Sequence, residues 1–65
     1  MSGIALTPVL LQLERAPGPL RPQIEAALCS HGQPLRWAIT AVQPRLQQPA
    51  LLQVEAIVCR RVEGG

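Results

Sequence analysis

The sequence contains no lysine, aspartate, asparagine, tyrosine or phenylalanine. All six of its basic side chains are arginine, and all four of its acidic side chains are glutamate. With a single histidine, His31, and no aspartate or asparagine to orient its ring, the chain lacks a recognisable catalytic constellation. One histidine and two cysteines also fall short of a metal-ligand set. The sequence therefore predicts no enzymatic activity, no metal and no cofactor.

The chain also lacks a concentrated positive charge. Its formal net charge is +2, and Arg60-Arg61 is the longest basic run. This falls short of the basic patch expected of a nucleic-acid-binding protein. Arginines can bind a partner's carboxylates, whereas charges at a strand end also discourage edge-to-edge aggregation. Both roles are open for these two residues.

Two further absences bear on location. No positively charged leader followed by an apolar core and a cleavage site is recognisable, and the longest apolar run is too short to span a bilayer. One pair of cysteines, Cys29 and Cys59, is not a disulfide framework. We therefore expect a cytoplasmic protein in which both thiols are free.

The small size of the chain limits its core. At 65 residues, with one tryptophan as its only aromatic residue, it is near the lower limit for independent folding, and its core must be aliphatic. Small domains often need oligomerisation, disulfides or a structural metal to be stable. We expect residues 1–65 to form a single small domain, with a flexible tail at 62–65, that associates with itself or with a larger protein.

The clearest structural pattern is a C-terminal antiparallel β-hairpin, with strands at about 35–42 and 51–60. Both segments are rich in β-branched residues, and alternation gives each strand one strongly apolar face and one mixed face. The mixed face carries more apolar side chains than is usual for a sheet face in contact with water, so we expect a second layer or a second chain to cover part of it. Because Pro44 and Pro49 interrupt the connector at 43–50, it predicts a loop of moderate length rather than a tight turn.

An amphipathic helix is predicted over residues 20–31. Its apolar stripe has helical spacing and consists of Leu20, Ile24, Ala27, Leu28 and His31. Pro19 and Pro22 fall at its first turn, where a missing N–H costs little. Gly32 is suited to end it, and Pro34 prevents its continuation. We expect this helix to pack across the hairpin.

The segment 8–16 has two interpretations. Thr7-Pro8 is a suitable helix start, and the residues that follow are mostly strong helix formers. The alternative is a third strand with Val9, Leu11 and Leu13 facing inward, although Leu10 then breaks the alternation. The predicted fold class is α+β in both cases, as helix–helix–hairpin or as βαββ.

Two places could carry chemistry. Cys29-Ser30-His31 brings a thiol close to an imidazole, but residues two apart on a helix point in different directions, and a histidine near a helix C-terminus is favoured for its charge alone. Trp37, beside Arg36, could stack on a planar ligand or on a partner's side chain. It could equally be the largest core residue of a small sheet.

The tryptophan early in the second strand, in Leu35-Arg36-Trp37, together with a strand–helix–strand–strand order, resembles the dodecins, small oligomeric flavin-binding proteins. The resemblance covers only a few residues, and residues 43–50 do not continue it. It implies an oligomer with a planar ligand near the tryptophan, and it does not assign the chain to that family.

The sequence favours a non-enzymatic protein-interaction module that self-associates or docks on a larger protein through an apolar sheet face. The alternatives are an oligomeric binder of a planar cofactor that uses Trp37, and a weak nucleic-acid binder that uses scattered arginines. Trp37, Ile39, Val54 and Val58 are predicted to be structural. The predicted partner-binding residues are Arg36, Trp37, Thr40, Gln53, Glu55, Ile57, Arg60 and Arg61.

Overall fold

The structure, a computed structural model, describes residues 2–63. In chain order the elements are strand β1 (Ser2–Glu14), helix α1 (Leu20–Cys29), strand β2 (Gln33–Arg45) and strand β3 (Gln48–Glu63). The strands form one antiparallel sheet in the order β1-β3-β2, so the longest strand is central. The α+β class predicted from the sequence is confirmed.

The first segment is a strand, so of the two alternatives for 8–16 the third strand of a βαββ order is confirmed and the helix is wrong. Val9 and Leu11 are half-buried under the helix, while Leu10 points to the other side of the sheet and is 66% exposed. Leu10 seemed to break the alternation only because the second side of the strand is itself apolar. Pro8 is tolerated because β1 is an edge strand, with backbone groups on one side unpaired.

The helix begins after Pro19 and ends at Cys29, two residues earlier than predicted. The side chain of Gln23 fixes its entry: it accepts a hydrogen bond from the Ala16 N–H at 3.0 Å and donates one to the Pro19 carbonyl at 2.9 Å. His31 lies in the turn that follows and is exposed, so it does not belong to the apolar stripe.

The core lies between α1 and the centre of the sheet. Ile24 and Leu28 of the helix are fully buried against Val54 and Val58 of β3. Trp37 and Ile39 of β2 are half-buried beside this cluster. These strand residues occupy the positions expected of structural residues, and burial of such aliphatic side chains stabilises the fold by about 1.5–3 kcal/mol each.

The hairpin is longer and tighter than predicted. Arg45 pairs with Gln48, so only Leu46 and Gln47 form the turn, and the predicted moderate loop at 43–50 is wrong. Gln47 provides the left-handed backbone that the turn needs, with φ 57°. Pro44 does not interrupt the ladder because it lies at a bulge of an edge strand.

Bulges in β2 also shift the predicted faces. The register slips by one residue at Leu35 and again at Thr40. After the second slip, Ala41 is opposite Gln53 and Val42 is opposite Leu52, which exchanges the sides that strict alternation assigned to them. Leu35, predicted to face the core with Trp37, is 53% exposed.

The last residues extend the sheet. The strand β3 includes Val62 and continues through Glu63, where the sequence predicted a flexible tail at 62–65. Residues 64 and 65 of that tail lie outside the described part of the chain.

Gly32 is required where α1 turns into β2. Its φ is 149°, and a Cβ there would lie 2.9 Å from the Cys59 carbonyl oxygen. We predict that Gly32→Ala lowers the free energy of unfolding by about 2–4 kcal/mol, because backbone strain and a clash add together. Gly18 (φ 103°) is the matched control, since a Cβ there meets nothing within 4 Å. Urea unfolding at equal protein concentration should show the smaller loss for Gly18→Ala, and equal losses would contradict this account.

Candidate functional site

The sheet has two faces of different character. The helix face consists of the side on which α1 packs, with Leu52, Val54, Ala56 and Val58 in the central strand. The open face is the opposite side, on which residues 2–63 place no second layer. Its members on β1 are Ile4, Leu6, Pro8, Leu10, Gln12 and Glu14, and on β3 they are Leu51, Gln53, Glu55, Ile57, Cys59 and Arg61.

The open face is apolar over about half of its length. Ile4, Leu6 and Leu10 on the edge strand are 72%, 63% and 66% exposed. Ile57 and Cys59 on the central strand lie directly beside this column. Contiguous exposed apolar surface is a feature that many interaction sites of soluble proteins share.

Within the open face there is a shallow depression of about 400 Å³. Two adjacent cross-strand rows form it: Pro8, Ile57 and Arg36 in one row, and Leu10, Glu55 and Ala38 in the next. The neighbouring residues Val9, Ala56 and Trp37 of the helix-face row complete its lining. The depression is therefore mainly apolar, with one arginine and one glutamate at its borders.

The charges of the open face differ in their pairing. Glu14 accepts a hydrogen bond from Arg45, whose Nε also donates to the Pro49 carbonyl at 2.8 Å. These polar contacts lie at the end of the sheet near the hairpin turn. Glu55 and Arg61 are exposed, and neither forms an ion pair or a side-chain hydrogen bond with the side chains of residues 3–62, which are those that the structure describes.

Six of the predicted partner-binding residues lie on or beside the open face, and five of them lie together, with Arg61 further along β3. Arg36, Glu55 and Ile57 border the depression. Thr40 and Gln53 are one row further along, where the Gln53 Nε2 donates to the Thr40 Oγ1 at 3.1 Å. These two form a polar row next to the apolar half.

Trp37 belongs to the other side of the sheet. It pairs with Ala56 on the helix face and is half-buried against the core. Its remaining exposed surface borders a groove of about 390 Å³ between α1 and β2, which Arg21 and Glu25 also line. Trp37 thus lines the depression from the neighbouring helix-face row, and it lies on the opposite face of the sheet from Glu55 and Ile57.

The basic run is divided between the two faces. Arg61 is opposite Ile4 on the open face, whereas Arg60 is opposite Ala5 on the helix face. Because side chains alternate along a strand, the two guanidinium groups point away from each other. They do not form a single basic patch.

The predicted partner-binding residues do not include the contribution of β1 to the open face, namely Ile4, Leu6, Pro8 and Leu10. The signal was present as apolar residues at every second position from 4 to 10. It was hidden because Ala5 and Val9, at intervening positions on the helix face, are also aliphatic.

The residues considered for chemistry are dispersed. Cys29 is exposed at the end of α1, His31 is exposed in the next turn, and Cys59 is half-buried on the open face. No group of three or more potential metal ligands comes together within residues 2–63. No helix in that range combines the length and the apolar composition that crossing a membrane requires.

Comparison with known proteins gives a family without an assigned activity. No curated protein and no solved structure matches the chain. The family model described as a domain of unknown function, DUF8621, matches residues 6–60, which begin within β1 and end within β3. Since this match covers most of the chain, the protein belongs to the DUF8621 family.

Proposed function

We propose that the protein is a non-enzymatic, cytoplasmic interaction module that associates with copies of itself through the open face of its sheet. The observation that carries this proposal is the exposed apolar column of Ile4, Leu6 and Leu10 beside Ile57. In an antiparallel sheet with one face in water, the side chains that point to that face are mostly polar. Here the end near the hairpin turn follows that rule, whereas the other half exposes Ile4, Leu6 and Leu10 to water.

The surface area of the chain supports the same conclusion. A compact monomer of 7.0 kDa has an accessible surface of about 4,000 Å², whereas this chain has 4910 Å². The excess of about 900 Å² is close to the roughly 800 Å² that each partner contributes to a standard interface. The radius of gyration, 14.0 Å, likewise exceeds the value of about 11 Å for a compact chain of this length.

The small core makes a partner energetically important. Only six hydrophobic residues are buried in the described chain. Removing the apolar open face from water contributes about 25 cal/mol per Å², although part of this gain offsets the loss of translational and rotational freedom. We therefore propose that association stabilises the fold as well as forming the assembly.

A charge at the centre of the open face tests the proposal. We predict that Ile57→Glu weakens self-association by at least about 100-fold, because each copy would bury an unpaired carboxylate. Leu46→Glu is the matched control: it makes the same kind of change at a side chain that is 93% exposed in the hairpin turn. Sedimentation velocity over a range of concentrations gives the dissociation constants.

The two variants separate the possible results. Dissociation by Ile57→Glu together with wild-type behaviour of Leu46→Glu supports the open face as the interface. Equal association of both variants and the wild type would exclude this face. If the wild type is itself monomeric, the proposal of self-association is wrong, and the open face becomes a docking site for a larger protein.

A second candidate function is binding of a planar ligand in the groove beside Trp37. The groove between α1 and β2 has the volume of a small-molecule site and is bordered by Arg21 and Arg36. Because Trp37 is the only tryptophan, its fluorescence reports binding there directly. The candidate predicts saturable quenching by riboflavin that Arg21→Ala weakens, with Arg15→Ala as the control for loss of one charge. Quenching that rises linearly without saturation would exclude it.

A further inference from the structure

Resting on the proposed self-association, we infer that two copies pack open face to open face about a two-fold axis. The axis runs across the strands between the rows of Ile57 and Cys59, and Glu55 of each copy pairs with Arg61 of the other. This inference is based on the order of side chains along the open face of β3. Glu55, Ile57, Cys59 and Arg61 follow one another at every second residue. An acid and a base thus flank two apolar residues.

This order is self-complementary under rotation. A two-fold interface places the same patch of both copies together, so that residue i meets residue j and j meets i. An axis across the strands between Ile57 and Cys59 reverses the order of the rows. Ile57 then lies over the partner's Cys59, and Glu55 lies over the partner's Arg61.

The edge strand β1 follows the same symmetry. Leu6 is opposite Cys59 and Pro8 is opposite Ile57, while Ile4 and Leu10 occupy the rows of Arg61 and Glu55. The same rotation keeps β1 over β1 of the second copy. It therefore places Leu10 on the partner's Ile4 and Pro8 on the partner's Leu6, which covers the most exposed apolar side chains of the face.

Two other arrangements fit less well. An axis parallel to the strands along β3 places each row over itself, so that Glu55 meets the partner's Glu55, and like charges in contact are unfavourable. An axis across the strands one row nearer the hairpin turn places Leu6 over the partner's Gln12. That arrangement sets apolar residues on the polar half and brings Glu55 towards the partner's Arg36 instead.

The distances between packed sheets allow the ion pair. Two sheets pack face to face about 10 Å apart, a gap that an arginine and a glutamate side chain together span. Glu55 and Arg61 are six positions apart on one strand, about 20 Å, so they cannot pair within a copy. The pair therefore forms only between copies, where it fixes their relative register.

Charge reversal on separate chains tests the inference. We predict that Glu55→Arg and Arg61→Glu each weaken self-association about 10-fold or more, because each variant sets like charges against each other at both symmetric contacts. An equimolar mixture of the two variants should associate within about threefold of the wild type, since both contacts then become attractive. High salt should reduce the difference between variants and wild type.

The matched control is Arg60→Glu, which makes the same charge change at the next residue but on the helix face. It should associate as the wild type does. All three side chains are exposed, and thermal unfolding of each variant at equal concentration checks that the fold is retained.

Each remaining outcome overturns the inference in a recognisable way. If both reversed variants associate as tightly as Arg60→Glu, or if their mixture does not recover, the pair is wrong while self-association through the open face still holds. If Glu55→Arg instead recovers in a mixture with Arg36→Glu, the axis lies one row nearer the turn. A monomeric wild type would remove the proposed function itself, and the mass of the unmodified protein identifies that case.

Discussion

The structure depends on a mismatch between one short helix and three long strands. The helix has 10 residues and is about 15 Å long, whereas the molecule is 51 Å long because its strands have 13 to 16 residues. The helix can cover only the centre of one face. Every other feature of the surface follows from the large area of sheet that this leaves in contact with water.

The two faces respond differently to this constraint. On the helix face, the buried residues of β3 are concentrated under Ile24 and Leu28. On the open face, the end near the hairpin turn is polar, with Gln53 bonded to Thr40 and Arg45 bonded to Glu14. At the other end, the side chains of residues 3–62 form no such polar network, and there the aliphatic residues of β1 are most exposed. This division along the strand confines the proposed contact to one half of the sheet.

The sequence predicted those elements whose signals are local. The helix after Pro19 and the hairpin strands around Trp37 and Val54 follow from helical spacing and from β-branched composition, and the structure has both. These predictions succeeded because each element carries its own pattern.

The remaining features depend on contacts that the sequence does not display. The strand β1 carries aliphatic residues on both sides, so alternation was not visible, and only its pairing with β3 determines its conformation. The bulges at Leu35 and Thr40 changed the predicted faces of β2, because a single unpaired residue reverses all that follow. The tight turn at Leu46-Gln47 has no Asn-Gly signature. The opposite directions of Arg60 and Arg61 became clear only once β3 was known to continue through them.

The measurement that tests the account most directly is the mass of the unmodified protein in solution, by light scattering across a range of concentrations. Self-association through the open face predicts a mass at least twice the 7.0 kDa of the chain, falling towards that value only on dilution. A mass of 7.0 kDa at every concentration up to the millimolar range would contradict it, because the apolar half of the open face would then remain in water.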